Sequence, residues 1–425
     1  MNYTIIGNSA AAVGAVEAIR RYDRKGEIVV VSREPYAVYS RPLISHLLAG
    51  HIQENRIFYR EKNFYKRNRI QTFLRKEVKA IQAKSHRLLL DDGEGLEFEK
   101  LLIATGGCPM IPPVKGITRR GVFTFTTWDD AKEIRRYVKE TPVGSVVVIG
   151  GGLIGLKATE ALMALGLRVT VIELMDRILS TIFDKKASEM IERQLTGKGA
   201  NLITENTVEE ILGSHNGIEE VLLKDGRRLK CQMVIFGIGV FPNIGLIKDT
   251  PIRYNKGIKV NSHMETNISG IYAAGDVVEI PDILLGTVRP IAIWPNAYRQ
   301  GWIAGCNMAG TPRRYEGSFA MNSIEVSGIP TISVGMAEPP ENGFEILQEL
   351  DSKSGTYKKI ILKDGVIVGA IFIGEIDRAG IYTGLIREKI DVSGVKDILL
   401  REDFGLISLP REYRKHLVKG EDVFL

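Results

Sequence analysis

Val146-Val147-Val148-Ile149 runs directly into Gly150-Gly151-Gly152-Leu153-Ile154-Gly155, and this stretch decides the fold. An apolar strand followed at once by G-x-G-x-x-G predicts a strand–turn–helix unit that receives a dinucleotide. Gly150 permits the tight turn, Gly152 lets backbone approach a pyrophosphate, and Gly155 lets the helix pack close to the sheet. The helix start at Leu153 and Ile154 presents unpaired N–H groups and the positive end of the helix dipole to the phosphates. The next strand, Arg168 to Ile172, ends at Glu173, about twenty residues beyond the glycines. A carboxylate there accepts hydrogen bonds from a ribose 2′-OH and repels a 2′-phosphate, which predicts NAD(H) rather than NADP(H).

Two further phrases extend the pattern. Near the N-terminus, Tyr3 to Ile6 runs into Gly7-Asn8-Ser9-Ala10-Ala11-Ala12. Ser9 and Ala12 replace the second and third glycines with small residues, and Ser9 can donate a hydrogen bond. The following strand, Ile28 to Val31, leads to Glu34 as the nearest candidate ribose acid. Taken alone, this segment reads equally as an ordinary opening of an α/β domain. A third phrase, Ile271-Tyr272-Ala273-Ala274-Gly275-Asp276, is of a flavin-binding type. Two dinucleotide sites in one chain imply electrons moving between them.

The same organisation occurs twice along the chain. One unit closes on Leu101-Leu102-Ile103-Ala104-Thr105-Gly106-Gly107, the other on Met233-Val234-Ile235-Phe236-Gly237-Ile238-Gly239. Because Gly275-Asp276 follows the second unit yet completes the first, the expected fold class is α/β with two Rossmann-like domains. The NAD-binding domain (113–240) is expected as an insertion within a discontinuous FAD-binding domain (1–112 and 241–318). From 319 to 425 short alternating runs joined by Asp364-Gly365 predict a hairpin and a C-terminal α+β domain.

Composition narrows the classes. At 425 residues, with 44% hydrophobic and 25% charged residues, the chain reads as a soluble globular protein. No apolar run is long enough to span a bilayer and no leader precedes the first strand, so the expectation is cytoplasmic. The 3 cysteines (Cys108, Cys231 and Cys306) and 6 histidines are too scattered for a metal or iron–sulfur site. The net charge of +6 is uneven: Arg56, Arg60, Lys62, Lys66, Arg67, Arg69, Arg75, Lys76 and Lys79 face only Glu61 and Glu77. That stretch reads either as a solvated helix face or as a landing patch for an acidic protein; no nucleic-acid module accompanies it.

Together, Gly7 to Ala12, Ser40-Arg41-Pro42, Ala104-Thr105-Gly106, Gly150 to Gly155 with Glu173, Gly275-Asp276, and Trp294-Pro295-Asn296-Ala297 with Gln300-Gly301 resemble the FAD-dependent pyridine nucleotide–disulfide oxidoreductases. More closely, the chain is similar to the NADH:rubredoxin reductase, ferredoxin reductase and nitrite reductase flavoprotein branch. The resemblance implies FAD and NAD(H) as cofactors. It places Asp276 on the ribityl chain of FAD, Arg41 at its pyrophosphate and Pro42 by the isoalloxazine ring. Ala104, Thr105 and Gly106 would line the adenosine side, and Gly239 would lie at the matching crossover of the NAD unit. The segment containing Ala297 would approach the flavin near its pyrimidine end.

Three departures from that family pattern carry expectations. Val38-Tyr39-Ser40-Arg41-Pro42-Leu43 has no redox cysteine, so disulfide, peroxide and thiol-dependent oxidase chemistry is disfavoured. His46 and Lys157 stand where ferredoxin reductases of this type pair a lysine with a glutamate, which suggests Lys157 as a cation beside the ring. Phe241 precedes Pro242-Asn243 where many relatives carry arginine. The expected activity is an NADH:acceptor oxidoreductase passing electrons to a small acidic iron–sulfur protein, rubredoxin or ferredoxin. Alternatives are an NADH oxidase or diaphorase, the flavin subunit of a larger reductase, and a flavin-dependent sensor or scaffold. By the resemblance, the C-terminal domain either forms a dimer interface, giving a homodimer, or helps cover the flavin.

Overall fold

The computed structural model describes residues 1–214, 217–340 and 342–409. Ten strands form its two parallel sheets: β1 (Asn2–Ile6), β2 (Glu27–Ser32), β3 (Ile70–Leu74), β4 (Lys100–Ile103), β5 (Val122–Thr124), β6 (Ser145–Ile149), β7 (Arg168–Ile172), β8 (Asn201–Ile203), β9 (Met233–Phe236) and β10 (Ile271–Ala273). Their orders are β10-β4-β1-β2-β3 and β5-β9-β6-β7-β8, parallel throughout. Each fingerprint strand, β1 or β6, is therefore the centre of its own sheet. Both are buried along almost their whole length, as all-parallel sheets covered on both faces require.

The two sheets match strand for strand, with one difference in chain order. Edge strand β10 is supplied after the second sheet is finished, whereas its counterpart β5 precedes β6. The second unit is thus threaded into the first. In each unit a three-stranded antiparallel meander stands before the strand beside the fingerprint strand, from Val78 to Glu97 between β3 and β4 and from Val208 to Lys230 between β8 and β9. The two chain crossings between the units pair with each other, Gly107–Pro109 against Val240–Pro242.

Seven α-helices of five or more residues pack around these sheets and the C-terminal one among the described residues: α1 (Ala10–Tyr22), α2 (Ile44–Leu48), α3 (Trp128–Glu140), α4 (Leu153–Ala164), α5 (Lys185–Gly197), α6 (Trp294–Met308) and α7 (Ala379–Arg387). Helices α1 and α6 meet backbone to backbone. A Cβ on Gly301 would lie 1.9 Å from the Ala11 carbonyl oxygen, and one on Gly14 would lie 2.2 Å from that of Tyr298. This contact brings the start of α6 beside the first fingerprint.

The C-terminal sheet is antiparallel and contains β11 (Met321–Val326), β12 (Ile329–Gly335), β13 (Glu345–Asp351), β14 (Thr356–Lys363) and β15 (Val366–Ile373), in the order β11-β12-β15-β14-β13. Asp364 and Gly365 join β14 to β15 with φ of 50° and 76°, the left-handed pair that a tight hairpin needs. One face of this sheet packs on α7 through Ile360, Leu362, Phe372, Tyr382 and Leu385. The other face packs on the second unit, where Tyr357, Ile371 and Ile373 share a core with Ile191 and Leu195. The expected C-terminal domain reaches residue 425, and its part beyond residue 409 lies outside the described residues.

The basic stretch is not one helix face. It winds through a 3-10 turn at Glu54–Arg56, a helical turn at Phe64–Arg67, β3, and the strand Val78–Gln82. Among the described residues no helix is long and apolar enough to cross a membrane.

Candidate functional site

At the second fingerprint the three glycines do three different things. Gly150 has φ +106°, and a Cβ there would come within 2.7 Å of the Gly237 carbonyl oxygen on the neighbouring strand end. A Cβ on Gly155 would sit 1.9 Å from the Gly150 carbonyl oxygen, so only glycine lets α4 close on the turn. Gly152, between them, has no atom within 4 Å of its Cβ position. The space it leaves is open and faces the start of α4, where Leu153 and Ile154 begin a helix with neither a side-chain cap nor an acidic residue in its first turn. Unpaired helix N–H groups beside an open cradle suit an anionic pyrophosphate.

Glu173 closes the same site. Its Oε2 accepts from Gly151 N at 2.5 Å and its Oε1 from Met175 N at 2.8 Å. The carboxylate is thereby held at the rim of the glycine turn, with lone pairs left for ribose hydroxyls. Leu174 and Met175 beside it are exposed and apolar, and supply no cation for a 2′-phosphate. Gly239, at φ +108°, stands at the crossover and accepts from Met110 N at 2.9 Å.

The first fingerprint repeats this geometry with small residues. Gly7 has φ +115°, and its Cβ would lie 2.1 Å from the Ala104 carbonyl oxygen. Ser9 is the N-cap of α1 yet makes no side-chain cap bond, and no acid occupies the first turn, so the helix start is again unsatisfied. Ala10 and Ala12 are buried against the sheet. Thr105 Oγ1 donates to the Asn243 carbonyl at 2.9 Å, and the Gly106 carbonyl accepts from Asn243 N at 2.9 Å, which binds the two crossings together.

The structure also brings Glu34 and Arg41 into contact as an ion pair. Tyr39 donates its hydroxyl to the other Glu34 oxygen at 2.5 Å, and Arg41 Nη1 donates to the Thr126 carbonyl at 3.1 Å. Pro42, in the 3-10 turn Arg41–Leu43 that leads into α2, is exposed. Sequence reading missed the aromatic brace behind this pair. Tyr36 lies 4.3 Å from Trp128 between ring centroids and Tyr39 lies 5.5 Å from it, while Trp128 N donates to Tyr39 Oη at 3.1 Å. The only signal in the chain was two tyrosines just before the Ser40-Arg41-Pro42 phrase, and no periodicity ties them to Trp128.

Asp276 carries the strongest test of whether FAD fits. It follows Gly275 (φ +90°), whose N–H donates to Gln300 Oε1 at 2.7 Å and whose Cβ position lies 3.7 Å from Ala297 and 3.3 Å from Ala11. Strand β10, α1 and α6 therefore converge on this residue. Asp276 accepts no hydrogen bond from the described residues, and burial raises its carboxyl above the ordinary value, with Arg41 partly opposing the rise. A half-buried carboxyl without a protein donor is free to accept from a ligand hydroxyl. The residues present fit a flavin. Asp276→Ala should weaken FAD binding about tenfold or more, the effect expected for losing a hydrogen bond to a charged acceptor. Flavin-to-protein ratio after dialysis measures this, and full retention of FAD would count against the assignment.

Lys157, expected as a cation beside the ring, has close partners. Its Nζ lies 2.7 Å from Glu160 Oε2 and donates to the Glu325 carbonyl of β11, while Glu160 Oε1 accepts from Ser327 N. The ammonium is already paired, and its partners lie at the joint between α4 and the C-terminal sheet. Burial pushes the Cys231 thiol up to about 12 and also raises Cys108, while Cys306 is buried. His46 is exposed on α2.

Comparison with known proteins follows the same division. Residues 1–301 match the pyridine nucleotide-disulphide oxidoreductase family, and residues 321–390 match the rubredoxin NAD+ reductase C-terminal domain. The chain is 32% identical over 397 residues to the NADH-dependent phenylglyoxylate dehydrogenase subunit epsilon of Aromatoleum evansii, covering 93% of each chain. It is 30% identical over 312 residues to the rubredoxin-NAD(+) reductase of Pseudomonas putida, covering 73% of this chain and 80% of that one. Two other relatives are longer, and the chain spans 48% and 51% of their lengths. Among solved structures, an NAD-dependent persulfide reductase from A. fulgidus superimposes with a TM-score of 0.86 at 25% identity, over 93% of this chain and 78% of that one.

Proposed function

Because the chain belongs to the pyridine nucleotide-disulphide oxidoreductase family and is an FAD-dependent NAD(P)H oxidoreductase, we propose that it carries electrons from NADH to a small acidic iron–sulfur protein, such as rubredoxin or ferredoxin, in the cytoplasm. The observation that carries this reading is the pair of uncapped glycine cradles on matched sheets, one ending at Glu173 and the other served by Asp276. Bound FAD supplies the chemistry that takes a hydride from NADH and releases electrons singly.

The chain's own residues bind and orient. Gly150, Gly152 and Gly155 shape the seat for the NADH pyrophosphate, and Glu173 selects a free ribose 2′-OH. Ser9, Arg41 and Asp276 would hold FAD by its phosphates and ribityl chain, and exposed Pro42 would border the ring. The absence of a cysteine near Pro42 leaves no thiol relay, so electrons must leave for an external acceptor.

The acceptor surface in this reading is the basic segment beside α6. Arg60 lies 4.1 Å over the Tyr59 ring, Tyr59 packs edge-on to Trp294 at 4.9 Å, and Arg60 Nε bonds Glu17 at 2.7 Å. That anchoring leaves Arg56, Lys62, Lys66 and Arg69 exposed on the outer surface of the same segment. A decisive experiment adds NADH anaerobically and then mixes the reduced protein with an acidic rubredoxin. NADH should bleach the bound flavin stoichiometrically. Reoxidation by rubredoxin should slow about tenfold or more as ionic strength rises from about 10 mM to about 1 M, where the Debye length falls from about 30 to about 3 Å. Oxidation of NADH by a small uncharged dye should barely change. Equal salt sensitivity would sink docking at this patch, and a flavin that stays oxidised would sink the whole reading.

A second reading has one specific support: the Aromatoleum relative, matched nearly end to end, is a subunit of an NADH-dependent dehydrogenase. In that case the basic patch would seat a partner subunit instead of a diffusing protein.

A further inference from the structure

The loop between Glu173 and α5 forms one wall of the second dinucleotide site. Leu179 N donates to the Gly151 carbonyl at 3.0 Å, and a Cβ on Gly151 would meet Ile178 Cγ2 at 2.8 Å. Leu179 is held at φ +54°, a left-handed conformation that a leucine adopts only under constraint from its surroundings. The geometry of this wall therefore depends on what anchors the loop.

Within its own unit the loop is held by Glu192, which accepts from Ile178 N at 3.1 Å, and by Ser188, whose hydroxyl donates to the Ile178 carbonyl at 2.7 Å. Its charged side chains find two further anchors in the C-terminal domain. At the near end Arg177 Nη2 lies 2.7 Å from Glu338 Oε2. At the far end Asp184 Oδ2 accepts from Lys359 Nζ at 2.8 Å and from the Tyr357 hydroxyl at 2.7 Å, both on β14. Asp184 Oδ1 meanwhile caps α5 through Ala187 N at 2.9 Å. The side chains of Lys359 and Asp184 are 6% and 8% exposed, so water cannot take the place of either partner. Lys359 also donates to the Ala337 carbonyl at 3.1 Å, next to Glu338, which ties the two anchors into one network. Burial and Asp184 together raise the Tyr357 phenol far above its ordinary value, so its proton stays available for donation.

We propose that Lys359, Tyr357 and Glu338 are positioning residues for NADH, through which the C-terminal domain holds the 174–184 loop in its dinucleotide-binding conformation. The inference rests on the reading of the second site as an NADH site. It assigns the C-terminal sheet a part in NADH affinity, in addition to any part in acceptor docking.

The test compares Lys359→Met, the doubly neutral Asp184→Asn/Lys359→Met, and Lys358→Met in the FAD-loaded full chain. Lys358 pairs with Glu375 at 3.2 Å from the opposite face of the same strand and serves as the control. NADH dissociation constants, measured directly, should rise by at least about fivefold in both Lys359 variants and stay at the wild-type value in Lys358→Met. The KM for NADH should rise with them, while kcat with a small dye at saturating NADH holds. Tryptic cleavage after Arg177 should quicken in the Lys359 variants, and NADH should protect less well. If Lys359→Met fails to fold, the double variant, which leaves no unpaired buried charge, decides the matter. NADH affinity and Arg177 cleavage unchanged in a folded Lys359 variant would overturn the inference and leave the NADH reading standing. A wild-type protein that does not bind NADH would overturn both.

Discussion

Lys359→Met should destabilise the folded protein by about 3–5 kcal/mol, the usual cost of stripping one partner from a buried ion pair. The carboxylate of Asp184 would keep its bonds from Tyr357 and Ala187 but lose its counter-charge in a place water does not reach. Asp184→Asn/Lys359→Met should recover most of that loss, because it removes both charges together and asparagine still caps a helix. Thermal midpoints of the three proteins, measured at constant FAD, make the comparison. A single variant as stable as wild type would mean the pair is not desolvated as the packing of β14 on α5 requires. By contrast, exposed pairs such as Arg401–Asp403 should contribute little.

Gly155→Ala should abolish most NADH-dependent activity while leaving FAD in place. The new methyl carbon would lie 1.9 Å from the Gly150 carbonyl oxygen, a clash with backbone that no rotamer relieves. Helix α4 must then move away from the turn, and with it the N–H groups meant for the pyrophosphate. A displacement of about 1 Å in such a positioning element can cost about a hundredfold in rate. Dithionite should still reduce the bound flavin fully, because the first cradle is built from β1, α1, β10 and α6. Rapid NADH oxidation by the variant would show that the second fingerprint does not seat the nicotinamide dinucleotide.

These two expectations differ in how far they could be read in advance. The glycine turn is a local device: its strand, turn, helix and acid lie within one continuous stretch, so spacing alone predicts their meeting. The Asp364-Gly365 hairpin is legible for the same reason. The threading of one unit into the other is also written in chain order, since Gly275-Asp276 appears after a second complete fingerprint. The basic stretch shows the limit of such reading. Its charge was plain, but a helix face was one reading of it, and the chain instead bends through turns and strands where Arg60 is drawn inward to Glu17.

The second cradle was legible along the chain, because its glycines and terminal carboxylate act on their immediate neighbours; the first, with Ser9 and Ala12 in place of glycines, was legible only beside Gly275-Asp276 and the other phrases of the resemblance. Where the long charged side chains end depends on how distant segments pack. Lys157 reaches Glu160 and the Glu325 carbonyl, and Lys359 crosses to Asp184 from a strand far along the chain. A lysine carries its charge several bonds from the backbone. Its partner is therefore chosen by which surfaces pack together and exclude water, and neither is encoded by local spacing.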